Sequence, residues 1–144
     1  RKYVLKDEKE KLKNNFSRAI LNFGHTFGHA LESLTGYSKK LNHGESIILG
    51  MYIAIKFSVF LGFCKREIIK KYENHLENLD IKYKIEDYKI KISPTLFIKH
   101  LRFDKKIKNK KIKFILLSDV GKVKTYVLEN EKLLFNFIKN EILK

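Results

Sequence analysis

The stretch from Arg18 to Glu45, RAILNFGHTFGHALESLTGYSKKLNHGE, constrains this chain more than any other. Wound at about 100° per residue, Arg18, Asn22, His25, His29 and Glu32 fall within an arc of roughly 80°. Opposite them Ile20, Phe23, Phe27, Ala30, Leu31 and Leu34 fill an arc of roughly 100°, the width of a core-facing surface. The polar arc holds two imidazoles, an amide and a guanidinium but no lysine, in a chain otherwise crowded with lysine. Such a face suits binding better than solvation. Gly24 and Gly28 each cost about 1 kcal/mol against alanine inside a helix. They share one flank, where a second backbone or a ligand can come close. Gly36 is placed to stop the helix after Thr35, Tyr37 to Asn42 reads as a loop, and His43-Gly44-Glu45 opens the next helix.

A length of 144 residues with 44% hydrophobic content fits one globular domain with a real core. The formal charge of +15 raises nucleic acid or an anionic membrane as partners. Base readout leans on arginine forks, however, and among 31 basic residues only Arg1, Arg18, Arg66 and Arg102 are arginine. The lysines are scattered through nearly every segment, as on a well-solvated surface. No nucleic-acid partner is expected, and a basic nucleic-acid-binding module stands as the distant alternative. Ser46 to Phe63 approaches the minimum membrane-spanning length, but a mid-membrane Lys56 carries a penalty of ~2.5 to 3.5 kcal/mol. A helix buried almost all round in a core is the expectation, with no membrane partner. Cys64 is the sole cysteine, so an internal disulfide is excluded and a reducing, cytoplasmic location is expected, with the thiol packed as a small hydrophobe. The first residue is Arg1 rather than methionine, so the chain is expected to belong to something longer.

Along the chain, Asn14 or Asn15 is a candidate N-cap for the stripe helix. His43 to Phe63 reads as its hydrophobic partner helix. Ile68, Ile69, Tyr72, Leu76 and Leu79 set a third helix over Lys65 to Leu79. Tyr83 to Ile92 alternates apolar and charged residues, as in a short strand or an extended link. Ser93-Pro94 starts a helix that runs to about Phe103. Lys110 to Leu117 and Lys122 to Leu128 read as strands joined by an Asp119-Val120-Gly121 turn, and Glu129 to Leu143 as a closing helix. The fold class is mainly α: several helices with one small antiparallel β-hairpin, in a single domain over residues 1–144.

Two histidines four apart on one helix face can reach a single metal ion. Zinc proteases that use this pair carry a glutamate directly after the first histidine, where Thr26 stands here, so their general base is missing. His43 offers another imidazole at a helix start. A catalytic zinc takes three protein ligands and keeps an open position; within this chain the third would be His29, Glu32 or Glu45. His75 and His100, on lysine-rich amphipathic helices, read as surface residues.

LNFGHTFGHALE, then LNHGESIILGM, then LRFDKKIKNKKIKFILLSDVGK closely resemble the C-terminal domain of the 3-dehydroquinate synthase family, from the Asp7-Glu8-Lys9-Glu10 run onward. The resemblance implies the helical, metal- and substrate-binding C-terminal half of a two-domain enzyme whose N-terminal NAD-binding domain is absent here. Enzymes of that family convert 3-deoxy-D-arabino-heptulosonate 7-phosphate to 3-dehydroquinate and phosphate, a step of the shikimate pathway to aromatic amino acids. They use NAD and Zn2+ or another divalent cation such as Co2+, and a homodimer is the expected assembly. Carried over by motif position, His25 and His43 look like metal ligands, with the third supplied by a glutamate of the N-terminal domain. Arg18 and Asn22 would hold substrate oxygens, His29 would assist proton transfer at the phosphate, and Lys105 or Lys106 would contact it. A further family lysine is expected immediately before Arg1. The Leu12 to Phe16 connection and the Tyr37 to Asn42 loop are longer than the family pattern. Another sugar-phosphate cyclase, or a metal-dependent alcohol or glycerol dehydrogenase, is the alternative within the same architecture. This chain alone is expected neither to bind NAD well nor to turn over substrate.

Overall fold

In the structure, a computed structural model that describes residues 18–103 and 111–143, Gly24 takes φ +81° and divides the expected stripe helix. Arg18–Asn22 forms a short 3-10 turn, and the α-helix proper, α1, runs His25–Leu34. The expectation of one unbroken helix from Arg18 is thereby corrected. A left-handed backbone at Gly24 redirects the chain, so Asn22 no longer lies on the helical face of His25, His29 and Glu32. The candidate caps Asn14 and Asn15 lie outside the described residues. At its other end α1 closes as its glycine requires: with Gly36 at φ +64°, Gly36 N–H reaches Ser33 O at 3.1 Å and Tyr37 N–H reaches Glu32 O at 2.9 Å. This is the paired-bond C-terminal cap that left-handed glycine permits.

The second helix, α2, runs His43–Phe60. Its start is a capping box: Asn42 Oδ1 accepts Glu45 N–H at 2.9 Å while Glu45 Oε2 accepts Asn42 N–H at 2.8 Å. It stops short of the expected Phe63, because Gly62 at φ +74° turns the chain and Phe63 N–H bonds Ser58 O. Where the two helices cross, glycines let the backbones approach. A Cβ at Gly50 would lie 2.2 Å from Gly24 O and 2.6 Å from Gly28 N, and one at Gly28 would lie 2.9 Å from Ser46 O. The second backbone expected beside Gly24 and Gly28 is therefore that of α2.

Helix α3, Glu67–Asn78, follows. The alternating stretch from Tyr83 to Ile92 forms no strand, only a 3-10 turn at Ile85–Tyr88. Helix α4, Pro94–Phe103, begins where Ser93-Pro94 puts it, with Ser93 Oγ accepting Leu96 N–H at 3.2 Å. Strands β1, Lys113–Asp119, and β2, Lys122–Val127, pair antiparallel, with an irregularity between Leu117 and Asp119. The chain closes in α5, Glu131–Phe137, which widens into a π-type turn over Ile138–Ile142.

Among the described residues five fully buried phenylalanines tie these elements together: Phe27 of α1, Phe57 of α2, Phe97 of α4, Phe114 of β1 and Phe137 of α5. Phe27 stacks on Phe114 at 4.7 Å, and Phe57 meets Phe137 at 4.7 Å and Phe27 edge-on at 6.0 Å. Each such ring contributes about 1.5–3 kcal/mol through the apolar area it removes from water, so α1 is held by core contacts on the side opposite its histidines. Lys56, which interrupts the apolar run of α2, donates its ammonium to the Glu141 carbonyl. Among the described residues no helix is long and apolar enough to cross a membrane.

Candidate metal centre

His25 is the first residue of α1, His29 lies one turn on, and His43 is the first residue of α2. Because Gly24, Gly28 and Gly50 let the two backbones touch, the three rings converge. Ring centres are 5.5 Å apart for His25 and His29, 6.2 Å for His25 and His43, and 6.0 Å for His29 and His43. With Zn–N bonds near 2.0–2.1 Å, two imidazoles on one tetrahedral ion have centres about 5–5.5 Å apart. The His25–His29 pair stands at that spacing, and the two pairs that span the helices, at 6.2 and 6.0 Å, are wider, so a shared cation draws the His43 ring inward.

Which nitrogen each ring presents follows from its neighbours. His25 Nδ1 lies 3.4 Å from Phe23 O, and His43 Nδ1 lies 3.0 Å from Glu32 Oε1. Both acceptors sit on the Nδ1 side, which leaves Nε2 of each ring as the lone-pair donor toward a cation. The side chain of His43 is 63% exposed and that of Glu32 13%, so the cluster opens to solvent at the helix starts while its carboxylate stays covered.

Of the three in-chain candidates for a further ligand, Glu45 is occupied in the capping box. Ligand atoms of His29, Glu32 and His43 lie within 4.8 Å of one another. Asn22 is exposed on the turn before Gly24. The side chain of Arg18, and Lys105 and Lys106, lie outside the described residues. His75 is exposed on α3, as expected of a surface residue. His100 is not simply a surface residue: it is half-buried, and its Nδ1 meets Ser33 Oγ at 2.8 Å, tying α4 to α1. No sequence signal marks that contact, which joins residues far apart along the chain. Cys64 is half-buried rather than enclosed in the core, and burial, aided by the nearby Asp119 carboxylate, pushes its thiol upward from the ordinary value.

Comparison with known proteins bears on this cluster. The family model described as 3-dehydroquinate synthase C-terminal matches residues 1–107. The 3-dehydroquinate synthase of Crocosphaera subtropica is 46% identical over 120 residues, covering 83% of this chain and 31% of the relative. That of Endomicrobium trichonymphae is 43% identical over 138 residues, 95% of this chain and 35% of the relative. That of Pelagibacter ubique is 38% identical over 144 residues, 100% of this chain and 38% of the relative. The chain thus spans about a third of the length of the relatives it matches. Among solved structures, a 2-deoxy-scyllo-inosose synthase complexed with carbaglucose-6-phosphate, NAD+ and Co2+ superposes with a TM-score of 0.68 at 26% identity, over 93% of this chain and 36% of the other. With the matched family model running through all three histidines and the greater part of the sequence, the chain belongs to the 3-dehydroquinate synthase C-terminal family.

Proposed function

We propose that this chain is the metal- and substrate-holding helical part of a 3-dehydroquinate synthase, which converts 3-deoxy-D-arabino-heptulosonate 7-phosphate to 3-dehydroquinate and phosphate. The observation that carries the reading is the convergence of His25, His29 and His43 across two helices in backbone contact. His25 and His43 hold a divalent cation, Zn2+ or Co2+, through Nε2. When bound, that cation supplies Lewis-acid polarisation of the substrate hydroxyl being oxidised. His29, one turn along α1 and beside both rings, moves a proton at the departing phosphate. Asn22 and Arg18, on the turn ahead of Gly24, hold substrate oxygens, and Lys105 or Lys106 binds the phosphate as a point charge. NAD is held mainly by a domain outside this chain, and the full-length protein is a homodimer.

The second reading is a cyclase of the 2-deoxy-scyllo-inosose synthase type, favoured by the structural neighbour. Identity of 38–46% to dehydroquinate synthases against 26% to that neighbour supports the first. The test is turnover by the full-length protein with NAD+ and Co2+ or Zn2+. Release of phosphate from the heptulosonate phosphate with formation of 3-dehydroquinate supports the proposal. Turnover of a hexose 6-phosphate instead would replace it with the second reading.

A further inference from the structure

We infer that Glu32 is a positioning residue for the metal centre: its carboxylate fixes the tautomer and orientation of the His43 ring and does not itself bind the cation. The inference rests on the reading of His25 and His43 as ligands and deepens it. Glu32 Oε1 lies 3.0 Å from His43 Nδ1. An ionised carboxylate only accepts hydrogen bonds, so the nitrogen facing it carries the proton and the lone pair is left on Nε2. The separation is that of a hydrogen bond, and is closer than the roughly 3.3 Å between two donor atoms on one tetrahedral ion.

The placement also argues against a mainly structural pair. The His43 side chain is 63% exposed, and a contact so open to solvent adds little to stability. Glu32, by contrast, is anchored in the last turns of α1, and its side chain is only 13% exposed. The covered partner can hold its position while the ring it meets is free to reach a ligand. His43 leads α2 directly after the Asn42 cap, so its backbone is fixed by one device and its ring by another. A carboxylate behind a ligating histidine raises the ring's donor strength as well as orienting it.

The experiment measures Zn2+ affinity of the metal-stripped full-length protein by chelator competition, for the parent, Glu32→Ala, Glu32→Gln and His43→Ala, with circular dichroism to check folding. Visible absorption of the Co2+-loaded forms reports the coordination directly. Glu32→Ala is expected to weaken binding about 10–100-fold while keeping the parent's Co2+ band shape, because the ligand set is unchanged. Glu32→Gln, which keeps an acceptor oxygen, is expected to recover part of the loss. His43→Ala is expected to lose the site. Parent-like affinity in Glu32→Ala would overturn the inference, as would a changed Co2+ spectrum in folded Glu32→Ala, which would make Glu32 a ligand. Undiminished binding in His43→Ala would instead overturn the metal assignment on which the inference rests.

Discussion

Gly50 of α2 meets Gly24 so closely that a single added methyl would sit 2.2 Å from the Gly24 carbonyl oxygen. That contact sets the distance between the helix carrying His25 and His29 and the helix carrying His43. Gly50→Ala should therefore separate the rings as well as strain the core. Overpacking of this kind costs about 1–3 kcal/mol, and metal affinity should fall further than stability alone accounts for. Urea titration and metal titration of the same variant check both effects.

Ser58 is fully buried on α2 and serves two backbones. Its Oγ donates to Ala54 O at 2.6 Å and accepts Leu117 N–H at 3.0 Å, beside the irregularity in β1. Ser58→Ala would strand the Leu117 N–H inside the core, at a cost of about 1–3 kcal/mol. Denaturant unfolding should show that loss, and amide exchange at Leu117 should speed up.

Four tyrosines, Tyr52, Tyr72, Tyr83 and Tyr88, favour the neutral phenol in the folded state. Burial pushes Tyr72 up to about 12. Burial also raises Tyr52 and Tyr83, helped by hydrogen bonds to Glu73 at 2.6 Å and Glu77 at 2.5 Å. An unfolded tyrosine ionises near 10. Above that pH the unfolded chain releases protons that the folded chain keeps, so the tyrosines' contribution to stability is flat below about 10 and falls as pH rises toward 12. The Tyr52→Phe variant should show a shallower alkaline decline, measured by urea midpoints from pH 8 to 11.5.

Cys64 should react slowly. Its raised thiol leaves less thiolate at pH 8 than a free cysteine has, and half-burial restricts access. Labelling with a disulfide reagent should lag well behind glutathione in buffer and match it in denaturant. Rapid labelling of the native protein would contradict the packing around Cys64.

Much of this molecule is legible locally. Ser93-Pro94, Gly36, the Asp119-Val120-Gly121 turn and the His43-Gly44-Glu45 start each announce their structure in a few adjacent residues, because caps and turns are settled by short-range hydrogen bonds and allowed φ. The histidine stripe is legible for the same reason from His25 onward. Its extension back to Arg18 is not, since Gly24 turns left-handed where Met51 and Gly50 of another helix press on it; a Cβ there would lie 2.6 Å from Met51 N. Periodicity sees one helix at a time and carries no information about that pressure. Likewise Ser33 and His100 meet through tertiary packing alone. Tyr83 to Ile92 alternates as a strand does but has no neighbouring strand to pair with among the described residues, and so forms a turn.

The central claim is that His25 and His43 together hold one cation while His29 works beside them. Metal analysis of the full-length protein after dialysis, for His25→Ala, His43→Ala and His29→Ala, tests it most directly. The expected result is loss of Zn2+ in the first two variants and about one equivalent retained per chain in the third, with phosphate release slowed. Loss of metal in His29→Ala with retention in His25→Ala would contradict the account.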